Sequence, residues 1–201
     1  MAKIYSPLDY KDILVHITLA SDEIRRRIST YHLEFYNIYN HTVEWNMQLP
    51  MFARSFYGYV FKMNDIPTQQ QFFEYYISVN SLHLDNNTMS GLKARAYRTY
   101  PSLVRDICFN KYVQEHISGF TALYSLELDI NEGIDLMLSN GSNHYAVNLY
   151  IDTRRAYFGR EKKQYRHTPF RNVHYIEFPV VFENSHKVGD FSYMVKKSII
   201  I

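Results

Sequence analysis

The residues whose types and spacing could best support chemistry form an acidic cluster in the second half of the sequence. These acids are Glu127, Asp129, Glu132 and Asp135. Carboxylates this close repel one another, so a cation or nearby arginines must neutralise them. Oxygen ligands favour Mg²⁺, Mn²⁺ or Ca²⁺, whereas Arg154 and Arg155 would turn the cluster into a structural salt network. Because alternate residues of a strand face opposite sides, Asp135 with either Glu132 or Asp129 is the pair expected to converge.

A cationic segment follows the acids after one predicted strand. Between Thr153 and Arg166 we predict a helix that contains one acid, Glu161, and a strong excess of bases. These bases are Arg154, Arg155, Arg160, Lys162, Lys163 and Arg166. A solvated surface usually mixes charges of both signs, so contact with phosphates is favoured over a plain solvated face. Acids that hold a cation and bases that hold phosphates together suit metal-dependent phosphodiester chemistry.

A second set of bases precedes the acids. Arg95 and Arg98, with Lys93 and Arg105 nearby, alternate with tyrosines and resemble a strip that faces nucleic acid. The alternative is a solvated helix face. Three glutamines that begin at Gln69 head another predicted helix and could contact adenine edges, although plain core packing is favoured there.

Composition limits the classes of function. The chain has 201 residues and a net charge of +2, so nucleic-acid affinity must come from local patches. A single cysteine, Cys108, excludes an internal disulfide and a multi-cysteine metal site. No Ser-His-Asp set, P-loop or dinucleotide glycine motif is present. Without a secretory signal or an apolar run of ~20 residues, we expect a soluble cytoplasmic protein that does not enter a membrane.

The elements that must position these residues change character near residue 100. Residues 1–100 are predicted to be helical, with helix starts near Pro7, Ser21, Pro50 and Pro67 and a last helix over 89–100. The helix from Ser21 carries apolar residues at helical spacing as far as 38. Residues 101–201 are predicted to form an α/β core that makes one compact unit with the helical region. Its helix begins at 101, and its strands cover 120–130, 134–138, 145–151 and 173–181, with a short closing strand at 189–194.

The predicted order from Pro101 to Val181 is one helix, three strands, one helix and one strand. This order resembles the core of the PD-(D/E)XK nuclease superfamily, which has the restriction-endonuclease-like fold. In that family an acid at the start of the second core strand holds a divalent metal, and Asp135 within Gly-Ile-Asp matches that position. The resemblance implies a mixed sheet flanked by helices, with Mg²⁺ or Mn²⁺ as cofactor.

The third strand departs from the family's pattern. The family carries Glu or Gln, one residue, then Lys, whereas this chain has Asn148, Leu149 and Tyr150. Asn148 still offers a neutral oxygen to a hard cation, but Tyr150 cannot supply the charge of lysine. The resemblance therefore implies that Lys162 or Lys163 provides this charge. It also implies further metal ligands, from Glu132 and from an acid of the preceding helix, either Glu115 or Asp106.

Three hypotheses follow. In the first, the protein is a metal-dependent nuclease whose catalytic residues are Asp135, Asn148, Lys162 and Lys163, acting on nucleic acid, with DNA favoured over RNA. In the second, a catalytically degenerate relative binds nucleic acid or acts as an accessory subunit or inhibitor through a protein partner. In the third, acids and bases pair with each other in a small-molecule or protein-binding domain. Nucleases of this fold are often dimers, so a homodimer is also an expectation.

Overall fold

The computed structural model describes residues 2–151, 168–180 and 186–193. Its helical part contains four α-helices: α1 (Ser21–Ile28), α2 (Phe52–Met63), α3 (Gln69–Val79) and α4 (Asn86–His116). Its strands are β1 (Thr121–Leu123), β2 (Leu136–Ser139), β3 (His144–Ile151), β4 (Val173–Val180), β5 (His186–Val188) and β6 (Phe191–Tyr193). The fold is therefore mixed α/β with a helical first half, which confirms the predicted fold class.

Two sheets are present in the described part of the chain. The main sheet has the order β1-β2-β3-β4, in which β1, β2 and β3 are antiparallel neighbours and β4 runs parallel to β3. Strands β5 and β6 form a separate antiparallel pair. The predicted strands near 136, 145 and 173 are thus confirmed, and the predicted closing strand is one half of this second pair.

Apolar residues cover both faces of β2 and β3. Leu136, Leu138, Val147 and Leu149 join the large core that includes α2, α3 and α4. Met137 and Ala146 face a smaller cluster with Tyr5, Leu128, Ile134 and Phe170. Strands buried on both faces read as continuous apolar runs, which is the pattern of the sequence here.

Helix α4 corrects the prediction of two helices divided at Pro101. One helix of 31 residues runs through Pro101, so the predicted boundary near residue 100 falls inside it. Proline lacks the N–H that would bond the carbonyl of Tyr97 four residues earlier. The side-chain amide of Gln69 donates to that carbonyl at 3.1 Å instead. Gln69 is 5% exposed, so it repairs α4 and is not available to read bases.

The helix predicted from Ser21 toward residue 38 is also wrong, because α1 ends at Ile28. Ser29 Oγ donates to the carbonyl of Arg26 at 2.7 Å, and Thr30 Oγ1 donates to the carbonyl of Arg27 at 2.8 Å. These side chains satisfy carbonyls that a continuing helix would need. The helix predicted from Pro7 is reduced to single turns at Pro7–Asp9 and Leu14–His16.

A strand was predicted over 120–130, but the observed strand, β1, covers only Thr121–Leu123. The carbonyl of Tyr124 accepts from the N–H of Ile13 at 2.9 Å, so the chain leaves the sheet there. Ser125 Oγ then accepts from the N–H of Glu127 at 3.2 Å. A π-helical turn, Leu128–Glu132, follows and ends at Gly133 with φ of 68°, a conformation that favours glycine. Asp129 and Glu132 therefore lie on a helical turn and Asp135 lies after it, so the acids do not line one strand.

No helix in the described ranges is long and apolar enough to cross a membrane. The predicted cationic helix over 153–166 lies outside the described residues. The basic residues predicted on it are Arg154, Arg155, Arg160, Lys162, Lys163 and Arg166.

Candidate functional site

Asp135 lies immediately before β2 and is fixed by three hydrogen bonds. Its backbone N–H donates to the carbonyl of Val147 at 3.1 Å. The N–H of Leu149 donates to Asp135 Oδ2 at 2.5 Å, and Asn110 Nδ2 donates to the Asp135 carbonyl at 3.1 Å. Strand β3 and helix α4 thus hold both the backbone and the carboxylate of Asp135.

Two further carboxylates lie within electrostatic reach of Asp135. Asp106 comes from α4, and Asp129 comes from the π-helical turn. Arg105 donates from Nε and Nη2 to Asp106 Oδ1, at 3.1 Å and 2.8 Å. The hydroxyl of Tyr124 donates to Asp129 Oδ2 at 2.7 Å. We call Asp106, Asp129 and Asp135 the carboxylate cluster, which three different elements assemble.

Asp135 and Asp106 hold their protons more tightly than isolated carboxyls do. Burial raises the pKa of Asp135 well above its usual value of 3.8, and the charges of Asp106 and Asp129 raise it further. The Leu149 N–H and the Arg105 guanidinium oppose this shift. Burial also raises the pKa of Asp106, and Arg105 partly offsets that effect. Among the described residues, Arg105 thus pairs with Asp106 and also acts on Asp135.

Two tyrosines pack beside the cluster. The rings of Tyr57 and Tyr124 lie 4.6 Å apart between centroids, and both side chains are almost fully buried. Burial raises the pKa of each phenol well above 10, and the neighbouring aspartates act in the same direction. Both phenols therefore stay protonated at neutral pH. Tyr124 donates to Asp129, whereas the hydroxyl of Tyr57 is buried without a hydrogen-bond partner among the described residues.

The cluster fits a hard divalent cation only in part. Carboxylate oxygens are the ligands that Mg²⁺ and Mn²⁺ prefer, and the charges of Asp106 and Asp129 disfavour ionisation of Asp135, an effect that a cation would relieve. Asp106 retains some solvent access, with 19% of its side chain exposed. However, no three acid, histidine or cysteine side chains within the described ranges converge closely enough to hold a metal ion.

The other two predicted metal ligands lie elsewhere. Glu132 pairs with Lys3, beside the smaller apolar cluster, and its Oε2 is buried without a hydrogen-bond partner among the described residues. Glu115 accepts from the backbone N–H of Ser21 at 3.0 Å and from the Ser21 hydroxyl at 2.5 Å. It therefore caps the start of α1, and only Asp135 of the three predicted ligands belongs to the cluster.

The β3 triplet occupies the position that the sequence predicts. In the β2–β3 register, Leu136 faces Val147, so Asn148 is the next residue along β3 and lies level with Asp135. Asn148 Nδ2 donates to Glu177 Oε1 on β4 at 3.2 Å, while its Oδ1 is buried without a hydrogen-bond partner in the described part. Lys162 and Lys163 lie outside the described residues, so their catalytic role stays a prediction.

Arg95 and Arg98 have internal partners. Arg98 bonds Glu44 through Nη2, and its Nη1 donates to the carbonyl of Ile38 at 3.0 Å. Arg95 donates to the carbonyl of Val43, and its Nε lies 3.9 Å from Glu44 Oε2. Both guanidinium groups therefore hold the segment before α2, and nucleic-acid contact by them stays a prediction.

Arg105, Tyr57 and Tyr124 are site residues that sequence reasoning did not assign to the cluster. Arg105 adjoins Asp106 in sequence, and that pair was the available signal. No spacing links Tyr57 on α2 with Tyr124 after β1, because only packing of the helical half against the sheet brings them together.

Comparison of this chain with protein-family models, with curated proteins and with solved structures finds no match in any of the three. The class of the protein therefore follows from geometry alone: a mixed α/β protein with a carboxylate cluster between a long helix and the sheet. Fold by itself does not determine function, so the activity is a proposal.

Proposed function

We propose that this protein processes nucleic acid by metal-dependent phosphodiester hydrolysis, in the manner of the PD-(D/E)XK endonucleases that it resembles. One observation carries the proposal: Asp135 stands at the start of β2, its carboxylate accepts from the Leu149 N–H of β3, and the charge of Asp106 on the preceding helix acts on it. The strand order supports it, because a long helix is followed by three antiparallel strands and a parallel fourth.

In this proposal Asp135 and Asp106 supply the anionic oxygens for Mg²⁺ or Mn²⁺. When bound, such an ion activates water and stabilises the charge that develops on the phosphate. The Leu149 N–H orients the Asp135 carboxylate, and Arg105 orients that of Asp106. Because the pKa of Asp135 is raised, cation binding displaces its proton and strengthens as pH rises.

The cationic residues after β3 have a separate proposed role. Arg154, Arg155, Arg160 and Arg166 would bind the phosphate backbone, and Lys162 or Lys163 would supply the positive charge that Tyr150 cannot. Phosphate contacts of this kind make affinity fall steeply with salt. DNA is the favoured substrate.

A second candidate is the catalytically degenerate relative, which binds nucleic acid or a protein partner without hydrolysis. The observation that favours it lies on β3: Asn148 bonds Glu177, and Tyr150 stands where the family carries lysine. The absence of a converged set of three metal-binding side chains in the described ranges points the same way.

The deciding experiment is a combined cleavage and binding assay. Labelled single- and double-stranded DNA and RNA are incubated with purified protein in Mg²⁺, Mn²⁺ or EDTA, beside Asp135→Asn. The asparagine keeps an oxygen for the Leu149 N–H and removes the charge. Asp9→Asn is the matched control, because Asp9 is exposed and lies outside the cluster.

Metal-dependent cleavage that Asp135→Asn lowers by at least about 100-fold, the upper range for loss of a supporting group at a metal site, supports the nuclease. Binding in EDTA with no cleavage in either metal supports the degenerate relative. If neither cleavage nor binding is observed, both hypotheses are contradicted, and protein partners become the next candidates.

A further inference from the structure

The segment between α1 and α2, which contains one π-helical turn at Thr42–Asn46, exposes several large apolar side chains. We call residues 35–51 the aromatic segment. Its exposed members, with their exposed fractions, are Phe35 (69%), Ile38 (43%), Tyr39 (59%), Trp45 (64%) and Met51 (52%). Trp45 is the only tryptophan of the chain, and its indole N–H donates to the hydroxyl of Tyr39. The two largest exposed rings are thus in contact.

This segment is held firmly from behind although it has little regular structure. Val43 is fully buried, and Arg95 and Arg98 bond three backbone carbonyls of the segment as well as Glu44. The three carbonyls belong to Tyr36, Ile38 and Val43. The exposed rings are therefore presented by a fixed backbone, which lowers the entropic cost of binding.

A close backbone approach supports the same conclusion. A Cβ added at Gly91 of α4 would lie 2.5 Å from the Cβ of Asn40, so glycine is required where the segment crosses the helix. Asn40 Oδ1 accepts from the N–H of Val43 at 3.2 Å, and the Asn40 carbonyl accepts from the N–H of Glu44 at 3.0 Å. Contacts on α4 and within the segment thus set its conformation.

The charge of the surface indicates the kind of partner. Within residues 35–51 the only acid is Glu44, and its side chain is 10% exposed and paired with two arginines. The exposed polar residues around the rings are Asn37, His41, Asn46, Gln48 and Arg54, and the exposed acid Glu34 lies just before the segment, where it accepts from the Tyr36 hydroxyl at 2.6 Å. Aromatic rings stack on bases of any sequence, amides bond base edges, and the one acid of the segment is paired with arginines, which limits repulsion of phosphates.

We propose that the aromatic segment is a stacking surface for single-stranded nucleic acid, with Trp45 and Tyr39 as its centre. This inference rests on the proposed function and names the form of substrate that the protein engages. Arg95 and Arg98 act as positioning residues behind this surface: they hold the backbone that presents the rings.

The sole tryptophan makes the surface directly observable. Full-length protein in EDTA is titrated with a pyrimidine oligonucleotide of roughly 16 nucleotides, an upper site size for one stacking module, and with a duplex of equal length. Trp45 emission reports stacking, and anisotropy of the labelled strand reports affinity. We expect quenching by the single strand and little change with the duplex.

Two substitutions and one control complete the test. Trp45→Ala and Tyr39→Ser are each expected to weaken single-strand binding by about 5- to 100-fold, the range for loss of one stacked base. Leu8→Ser is the control, because Leu8 is 95% exposed and lies outside the segment. Circular dichroism checks that each variant is folded.

Three results would overturn the inference. The first is unchanged Trp45 emission at a saturating concentration of single strand. The second is wild-type affinity in both segment variants. The third is self-association by sedimentation that Trp45→Ala abolishes and the oligonucleotide does not compete with, which assigns the surface to a second copy of the chain.

Failure of this inference and failure of the nuclease proposal are separable. Quenching of Trp45 without cleavage in Mg²⁺ or Mn²⁺ contradicts the nuclease and supports the stacking surface. Cleavage of single strands by Trp45→Ala at the wild-type rate and KM supports the nuclease and contradicts the stacking surface.

Discussion

Two groups of charged residues in this protein are built in opposite ways. Around Glu44, two guanidinium groups, Arg95 and Arg98, face one carboxylate. In the carboxylate cluster, as far as the described residues show, one guanidinium, Arg105, pairs with Asp106 and also acts on Asp135. The first group also bonds backbone carbonyls, so its charges are used in holding the chain.

The difference shows how to separate structural charges from functional ones. Excess positive charge around Glu44 is absorbed by carbonyl oxygens, which accept hydrogen bonds from guanidinium. In the described part of the chain, the negative charge around Asp135 is offset by the Leu149 N–H and by Arg105, and the pKa of Asp135 nevertheless stays raised. A site whose charge is relieved by protonation is one that a cation can also relieve.

The largest expected effect comes from removing the cation that, among the described residues, pairs with the carboxylate cluster. Arg105→Met should lower the free energy of unfolding by about 3 kcal/mol near pH 8, because the largely buried Asp106 loses its partner. The loss should be smaller near pH 5 than near pH 8, because burial raises the pKa of Asp106 and so favours its neutral form as pH falls. Urea unfolding at both pH values measures this, with the exposed Arg26→Met as control. An equal loss at both pH values would contradict the charge argument.

A smaller loss is expected at the opposite group. Glu44→Gln should cost about 2 kcal/mol, less than a fully buried pair, because Arg95 and Arg98 keep partial solvent access. Trp45 emission should change as well, since Glu44 anchors its segment. Exposed Glu74→Gln serves as control and should change stability by less than about 0.5 kcal/mol. If Glu44→Gln left the free energy of unfolding unchanged, the contacts of Arg95 and Arg98 with backbone carbonyls would be sufficient to hold the segment.

The pH dependence of stability should also distinguish the two groups, with an effect smaller than those of the two preceding substitutions. The pKa of Asp135 is raised in the folded state, so between its usual value and the raised one the folded protein binds more protons than the unfolded chain. Stability must therefore fall as pH rises through that window. In metal-free buffer Asp135→Asn should be more stable than the wild type near pH 8, with the difference vanishing near pH 4. Thermal unfolding over this range measures it, and a wild type that is more stable near pH 8 would refute the assignment.

The smallest expected effects are on the salt dependence of DNA affinity. They separate basic side chains that have partners within the protein from those proposed to bind phosphate. Lys162→Gln and Lys163→Gln should each reduce the slope of log affinity against log salt by about 0.9 for duplex DNA. Arg95→Gln should lower stability and leave this slope unchanged, because its guanidinium is bound to Val43 and Glu44. Exposed Lys11→Gln is the control. A reduced slope for Arg95→Gln would instead show that Arg95 binds nucleic acid.

Local patterns predicted much of the second half. Alternating and continuous apolar runs located β2, β3 and β4. The same runs placed Asp135 at the start of a strand with Asn148 on its neighbour, which the register confirms. Such predictions succeed because strand preferences act over a few residues.

Prediction failed where a distant side chain changes the local preference. Pro101 normally ends a helix, but Gln69 of α3 bonds the carbonyl that proline leaves unpaired. The apolar spacing beyond Ile28 resembles a helix, yet Arg95, Arg98 and Gln69 bind that segment in an irregular form. These partners lie dozens of residues away, beyond the reach of any local pattern.

The sequence by itself determined the fold class, the middle strands of the sheet and the acid at the start of β2, because these depend on short-range periodicity and turn chemistry. Only the tertiary structure decided which charged residues have structural partners and which lie together in the carboxylate cluster. Asp106 and Asp129 join Asp135, Glu115 caps α1, Glu132 pairs with Lys3, and Arg95 and Arg98 hold the aromatic segment. A charged residue has the same sequence signature in all these roles, and its role depends on which opposite charge or carbonyl the folded chain places beside it.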